Sequence, residues 1–311
     1  MSLGKDEGDN TRLIHRALEL GINFFDTADL YDKGLNEQTV GRILRSRREE
    51  VILATKVGNR WRDDGSGWDW NPRKEYIISA VEESLTRLQT DRIDLYQLHG
   101  GTMEDPIEET IEAFELLRQQ GKIRYYGISS IRPRVIREYL EKSGAGGKGE
   151  RSGVSGERSG GTAEADFPVE VAGIHSGIVS VMLQYSLLDR RAEETMLPLL
   201  REKGIGVLAR GPVAKGLLAG KPAESYLNYG ETEVSRAAGG IFSLSGTNRS
   251  SARTALQFVL ENPAVTSAVI GLRTIGQLED AAGATVAPRI TAEEMKTLRD
   301  ILPANYYEQH R

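Results

Sequence analysis

The chain has 311 residues, 39% of them hydrophobic, enough to fill the core of one large α/β domain. Lys+Arg at 40 against Asp+Glu at 45 give a formal net charge of −5, and the basic residues are scattered, so no nucleic-acid partner is expected. The absence of cysteine removes disulfides, thiolate metal sites and cysteine nucleophiles, and fits a reducing, cytoplasmic setting. The four histidines, His15, His99, His175 and His310, lie far apart with no HExxH pair, so no metal is expected. No apolar run approaches the roughly 18 residues of a membrane span, and the polar N-terminus "MSLGKDEGDN" does not read as a secretory signal.

In chain order, short apolar runs predict strands over 22–26, 51–56, 93–99, 123–129, 178–184, 205–209 and 267–270. Amphipathic stretches over 72–88, 106–119, 134–141 and 192–203 alternate with them. Ile77, Val81, Leu85 and Leu88 recur at spacings of four, four and three, the pattern of one helix face. Pro72 and Pro106 stand near helix starts, where the missing N–H costs least. The basic cluster Arg45, Arg47 and Arg48 falls at a helix end and is read as offsetting the helix dipole.

Strand–helix repetition predicts a parallel sheet covered by helices, either an open doubly wound sheet or a closed barrel. No G-x-G-x-x-G follows an early strand, and seven similar units with a possible remnant favour a (β/α)8 TIM barrel. In that fold chemistry sits at the C-terminal strand ends. Those ends read Asp26, with Tyr31 in the loop after it, then Lys56, His99 and Ser129-Ser130. Singly, a strand-end lysine is just leaving the core and a buried histidine is a satisfied core residue. Four polar ends in succession, converging on one mouth, point to a reaction site.

At these residues the chain resembles the aldo-keto reductases, in the bacterial branch carrying "QLHGG" and "QYSLLDRR". The resemblance rests on "DTADLY" at 26–31, the strand-end Lys56 and His99, "GISS" at 127–130, "RGPVAKGLL" at 210–218 and "VIGLRTIGQLED" at 269–280. It implies an NADP(H)-dependent enzyme reducing a small-molecule aldehyde or ketone. Hydride addition to a carbonyl leaves an alkoxide that needs a proton. A tyrosine, with a reference pKa of about 10, is a reluctant donor, and a neighbouring ammonium favours its phenolate. Tyr31 is therefore expected as acid/base, Lys56 as its tuner, Asp26 as the partner of Lys56, and His99 as the donor that orients the carbonyl oxygen.

For the cofactor, the resemblance implies Ser129 and Ser130 at the nicotinamide carboxamide and Gly211, Val213, Lys215 and Gly216 at the pyrophosphate. It places Arg273 at the adenosine 2′-phosphate and Gln277 and Asp280 near adenine and ribose, with Gly271 among the cofactor-binding residues of the same segment. Arg210, Met182 and Gln184 fall around the nicotinamide ring, where Arg210 and Met182 replace an aromatic and a glutamine common in the family. The loop "GNRWRDDGSGWDWN" over 58–71 offers Trp61, Trp68 and Trp70 either as a substrate wall or as rim packing. Tyr226, Tyr229, Tyr306 and Tyr307 are weaker candidates of the same kind.

Two departures are expected to matter. The chain opens almost at the family's first helix, so the first strand and N-terminal hairpin are expected to be largely missing, with 1–4 as a possible remnant. After "YLEKS", a Gly- and Ser-rich segment with "GERSG" twice predicts a disordered insertion at 144–177 within one barrel domain spanning 1–311, remote from the site. The alternatives to a reductase are a non-catalytic NADP(H)-binding regulatory protein and an inactive truncated product. The substrate and the oligomeric state are not legible.

Overall fold

Alternation of short β-rich runs with one-faced helices gives the chain a parallel sheet wrapped in helices. The structure, a computed structural model, describes residues 3, 4, 6–145 and 177–308. In order they form α1 (Glu7–Glu19), β1 (Phe24–Asp26), α2 (Leu35–Leu44), β2 (Ile52–Val57), β3 (Asn59–Trp61), β4 (Trp68–Trp70), α3 (Lys74–Leu88) and β5 (Ile93–Leu98). There follow α4 (Ile107–Gln119), β6 (Ile123–Ser129), α5 (Pro133–Lys142), β7 (Ser180–Gln184), α6 (Met196–Glu202) and β8 (Gly206–Arg210). The C-terminal part adds α7 (Glu231–Ser243), α8 (Ser251–Leu260), β9 (Val265–Val269), α9 (Ile275–Ala282) and α10 (Ala292–Ile301).

Seven strands pair in parallel in the order β1-β2-β5-β6-β7-β8-β9, a nearly closed (β/α)8-type barrel. Among the described residues β1 and β9 do not pair with each other. A slot of about 400 Å³ lies there, lined by Leu13 and Ala17 of α1, Phe24, Ser267, Val269 and Leu278. Of residues 1–4, Leu3 and Gly4 are described; Gly4 exchanges two hydrogen bonds with the Asn10 side chain and joins no strand.

The main core lies between sheet and helices, where Leu53, Tyr96, Ile128 and Val181 meet Val40, Val81, Phe114 and Leu140. A smaller cluster of Ala54, Leu95, Met182 and Leu208, joined by Phe24 and Val269, fills the barrel interior. The pleat period of two separates these sets: along β2, Leu53 faces the helices while Ala54 and Lys56 face inward. Arg48, expected to offset a helix dipole, instead pairs with the buried Asp94 at 2.7 Å and donates to the Val51 and Arg92 carbonyls. No described helix is long and apolar enough to cross a membrane.

Most of the expected insertion, 146–176, and His175 and His310 lie outside the described residues. The flanks of that segment meet: a Cβ on Gly177 would stand 3.0 Å from the Ala145 amide nitrogen, and Ile178 donates to Ser143 Oγ at 3.4 Å. This junction precedes β7, at the barrel end opposite the C-terminal strand ends.

Candidate active site

Sheet register decides which strand-end residues meet. Asp26 pairs in register with Ala54, so Lys56 stands one inward step above it on β2; Lys56 in turn pairs with Gln97, so His99 stands one step above that on β5. Three residues far apart in sequence thus rise as a staircase toward the barrel mouth. Lys56 Nζ donates to Asp26 Oδ2 at 2.6 Å and to the Thr27 carbonyl at 2.7 Å, with Lys56 only 1% exposed. Gln97 donates to the other Asp26 oxygen at 3.4 Å. A lysine so buried is stable only with its charge met, and the carboxylate and carbonyl meet it.

Tyr31 reaches this pair from the loop after β1. The chain reverses there through three successive left-handed residues, Asp32, Lys33 and Gly34, into α2. The Tyr31 ring centroid lies 5.1 Å from Lys56 Nζ and 5.9 Å from the His99 ring, to which it is edge-on. Burial, reinforced by the Lys56 and Arg210 charges, pushes His99 down to about 3, so its imidazole is neutral near pH 7. His99 is fixed by its backbone: its N–H donates to the Val57 carbonyl and its carbonyl accepts from Asn59 Nδ2 at 2.9 Å.

A second buried network supports the turn. Glu37 of α2 is fully buried, accepts from Thr55 Oγ1 at 2.6 Å and pairs with Arg87 of α3 at 2.7 Å. Thr55 is the neighbour of Lys56, facing the other side of β2. The Arg87 stem lies against Gly34, where a Cβ would stand 2.7 Å from Arg87 Cδ, so the turn needs glycine for both its φ of +84° and this contact. Thr27 Oγ1 donates to Asn36 Oδ1 at 2.7 Å and ties the strand end to α2.

Above the four residues lies a cavity of about 490 Å³, lined by Tyr31, His99, Asn59, Trp68, Trp70 and Arg132 among others, with Ser129 and Ser130 on its wall. It adjoins a second of about 540 Å³ through Tyr31, Met182 and Arg210. That one adjoins a third, of about 620 Å³, through Gly211, Gly271 and Arg273. The third is lined by Val213, Lys215, Gly216, Gln277 and Asp280. The expected cofactor residues therefore border one trough running from the tetrad across the mouth, Gln184 touching it by accepting from Arg210 Nη1 at 2.9 Å. Asp280 is engaged within the fold, accepting from Ser250 at 2.8 Å and pairing with Arg253 at 3.0 Å.

The 58–71 loop is a hairpin, β3 pairing with β4, and it divides the tryptophans. Trp68 and Trp70 line the cavity. Trp61 donates to the Leu30 carbonyl at 3.2 Å and stacks under Lys33, on the rim. Trp70 Nε1 donates to Asp105 at 2.8 Å. Tyr226 accepts from Gln184 at 2.9 Å and Tyr229 donates to the Pro303 carbonyl at 2.7 Å, while Tyr306 and Tyr307 line an adjoining cavity. Sequence reasoning missed Asn59, Arg132, Glu37 and Arg87. None of these stands out in the sequence, because each is placed by contacts between separate elements, as Glu37 is by Thr55 and Arg87. Among the described residues no group of His, Cys, Asp and Glu could hold a metal ion.

Comparison with known proteins gives the same reading. The model of the family described as Aldo/keto reductase matches residues 2–303. The uncharacterized oxidoreductase YqkF of Bacillus subtilis is 47% identical over all of this chain and 93% of its own length. The holo form of the aldo-keto reductase AKR11C1 from Bacillus halodurans superposes with a TM-score of 0.83 at 46% identity, over 100% of this chain and 92% of that one. The glycerol dehydrogenase AKR11B4 from Gluconobacter oxydans gives 0.75 at 26% identity, over 96% and 86%. With the barrel, the strand-end staircase and these relatives in agreement, the chain belongs to the aldo/keto reductase family of oxidoreductases.

Proposed function

We propose that the chain is an NADP(H)-dependent reductase of aldehydes or ketones, with Tyr31 as proton donor, Lys56 and Asp26 as its electrostatic support and His99 as the group that orients the carbonyl. The observation that carries this reading is the buried Lys56–Asp26 pair at 2.6 Å, set beside the Tyr31 ring and a neutral His99 at the floor of a cavity.

The trough suits a dinucleotide by its chemistry. Ser129 and Ser130, both mostly buried, offer hydroxyls to a carboxamide near the tetrad. Lys215, Lys221 and Arg273 gather where phosphates would lie, and the exposed Arg273, with its planar fork, suits a 2′-phosphate. Gly211 and Gly271 let the backbone come close. Bound there, the reduced nicotinamide supplies the hydride and its electron pair.

The chain's own groups do the rest. As the carbonyl carbon gains hydride, its oxygen takes the proton from the Tyr31 hydroxyl, and solvent later restores that proton. The Lys56 ammonium stabilises the resulting phenolate through space, while Asp26 holds Lys56 in place. His99, neutral, donates one hydrogen bond to the carbonyl oxygen without competing for the proton. The same path in reverse oxidises an alcohol, which fits a relative described as a glycerol dehydrogenase.

The test is a titration with NADPH and NADH followed by cofactor fluorescence, then turnover of para-nitrobenzaldehyde. Tighter binding of NADPH with steady turnover is expected. A chain that binds NADPH but reduces no aldehyde or ketone sinks the catalytic assignment.

A further inference from the structure

The substrate cavity is electrostatically lopsided. Its lining includes two guanidiniums, Arg132 and Arg210, and no carboxylate among the described residues. Arg210 is engaged by Gln184. Arg132 is held but not neutralised. Its Nη1 donates to the Gly101 carbonyl at 2.5 Å and its backbone N–H donates to Ser130 Oγ at 3.3 Å, and among the described residues no carboxylate pairs with it. The carboxylate on the neighbouring loop, Asp105, is occupied by Thr102 N and Oγ1, Trp70 Nε1 and the Tyr139 hydroxyl, at 2.7 to 3.2 Å. Glu308 lies in the adjoining cavity on the far side of Arg132, together with Arg191.

We propose that Arg132 is a substrate-selecting residue whose guanidinium receives a carboxylate carried by the substrate at a distance from its carbonyl. The Gly101 bond anchors one nitrogen of the fork two residues past His99, and leaves further N–H donors for a bidentate contact. Half-exposed Trp68 and Ile131 beside it would shield that contact from water and strengthen it. The preferred substrates are then aldehydes or ketones bearing a carboxylate rather than neutral ones. This rests on the reductase reading.

The experiment compares para-carboxybenzaldehyde with para-nitrobenzaldehyde, a neutral partner of similar shape, in the wild type and in Arg132→Met. The wild type is expected to favour the carboxylate. Arg132→Met should lose about 10- to 100-fold in kcat/KM on it, mainly through KM, and no more than about 3-fold on the nitro compound. Equal loss on both would make Arg132 a strut for the Gly101 loop, and no loss on either would empty the subsite; both overturn the proposal. Calorimetric binding of para-carboxybenzaldehyde to the two proteins with NADP+ present separates the readings. If neither aldehyde turns over, the reductase assignment fails while the binding difference still decides the role of Arg132.

Discussion

Asp29 is the least comfortable residue near the site, and it makes a prediction with a defined sign. It sits in the turn between Asp26 and Tyr31, 7% exposed, and neither carboxyl oxygen has a hydrogen-bond partner. Burial, then the nearby Glu37 charge, pushes it up to about 8 from an ordinary value of 3.8. The folded chain therefore keeps a proton that the unfolded chain has released. Such a group contributes stability that is fully present below pH 3.8 and is lost as pH rises toward about 8. At about 1.4 kcal/mol per pH unit, the loss between about pH 5 and about pH 8 is at most about 4 kcal/mol, and water penetration lowers it toward half. Asp29→Asn removes the titration while keeping the shape. Urea unfolding of both proteins at several pH values gives the stability difference as a function of pH. The depressed His99 slopes the other way in both proteins and cancels in that difference. The variant should gain on the wild type by about 2–4 kcal/mol over this range. Parallel profiles would refute the burial argument.

The supporting network and the trough make further predictions. Glu37→Gln breaks the buried pair with Arg87 and should cost about 3 kcal/mol, the low end for buried pairs because Arg87 is 20% exposed and still reaches Glu83. Urea unfolding measures that loss, and turnover should fall while NADPH affinity holds. Arg273→Ala should weaken NADPH binding by about 10-fold or more and leave NADH nearly unchanged, as paired fluorescence titrations will read. Joining Ala145 to Gly177 by deleting 146–176 should leave kcat within about 2-fold, because the two ends already meet on the face away from the tetrad. A large loss in steady-state turnover would place that segment in the chemistry.

The strand ends were readable because a barrel turns a one-dimensional pattern into a ring: each apolar run that stops at a polar residue delivers that residue to the same mouth. Asp26, Lys56 and His99 needed only the strand–helix beat and the pleat. The strands expected over 178–184 and 205–209 were legible for the same reason and are observed as Ser180–Gln184 and Gly206–Arg210, whose register carries Met182 and Arg210 to the trough. Contacts between elements were not readable. Glu37 and Arg87 are 50 positions apart on separate helices, and either alone reads as an ordinary surface charge. Arg132 looked like a loop residue until its neighbours were in place. The β3–β4 hairpin escaped because its three-residue strands are too short to show alternation. The charge of Asp29 depends on burial that no local pattern records.

Tyr31→Phe is the most direct test of the central claim. It removes one hydroxyl, keeps the ring against His99 and Lys56, and leaves the trough unchanged. NADPH binding should stay within about 2-fold of the wild type, while kcat for aldehyde reduction falls by about 100-fold or more, the range of a lost general acid. Reduction at near wild-type rate by a variant that binds NADPH normally would contradict the account, because the proton would then have to come from another group.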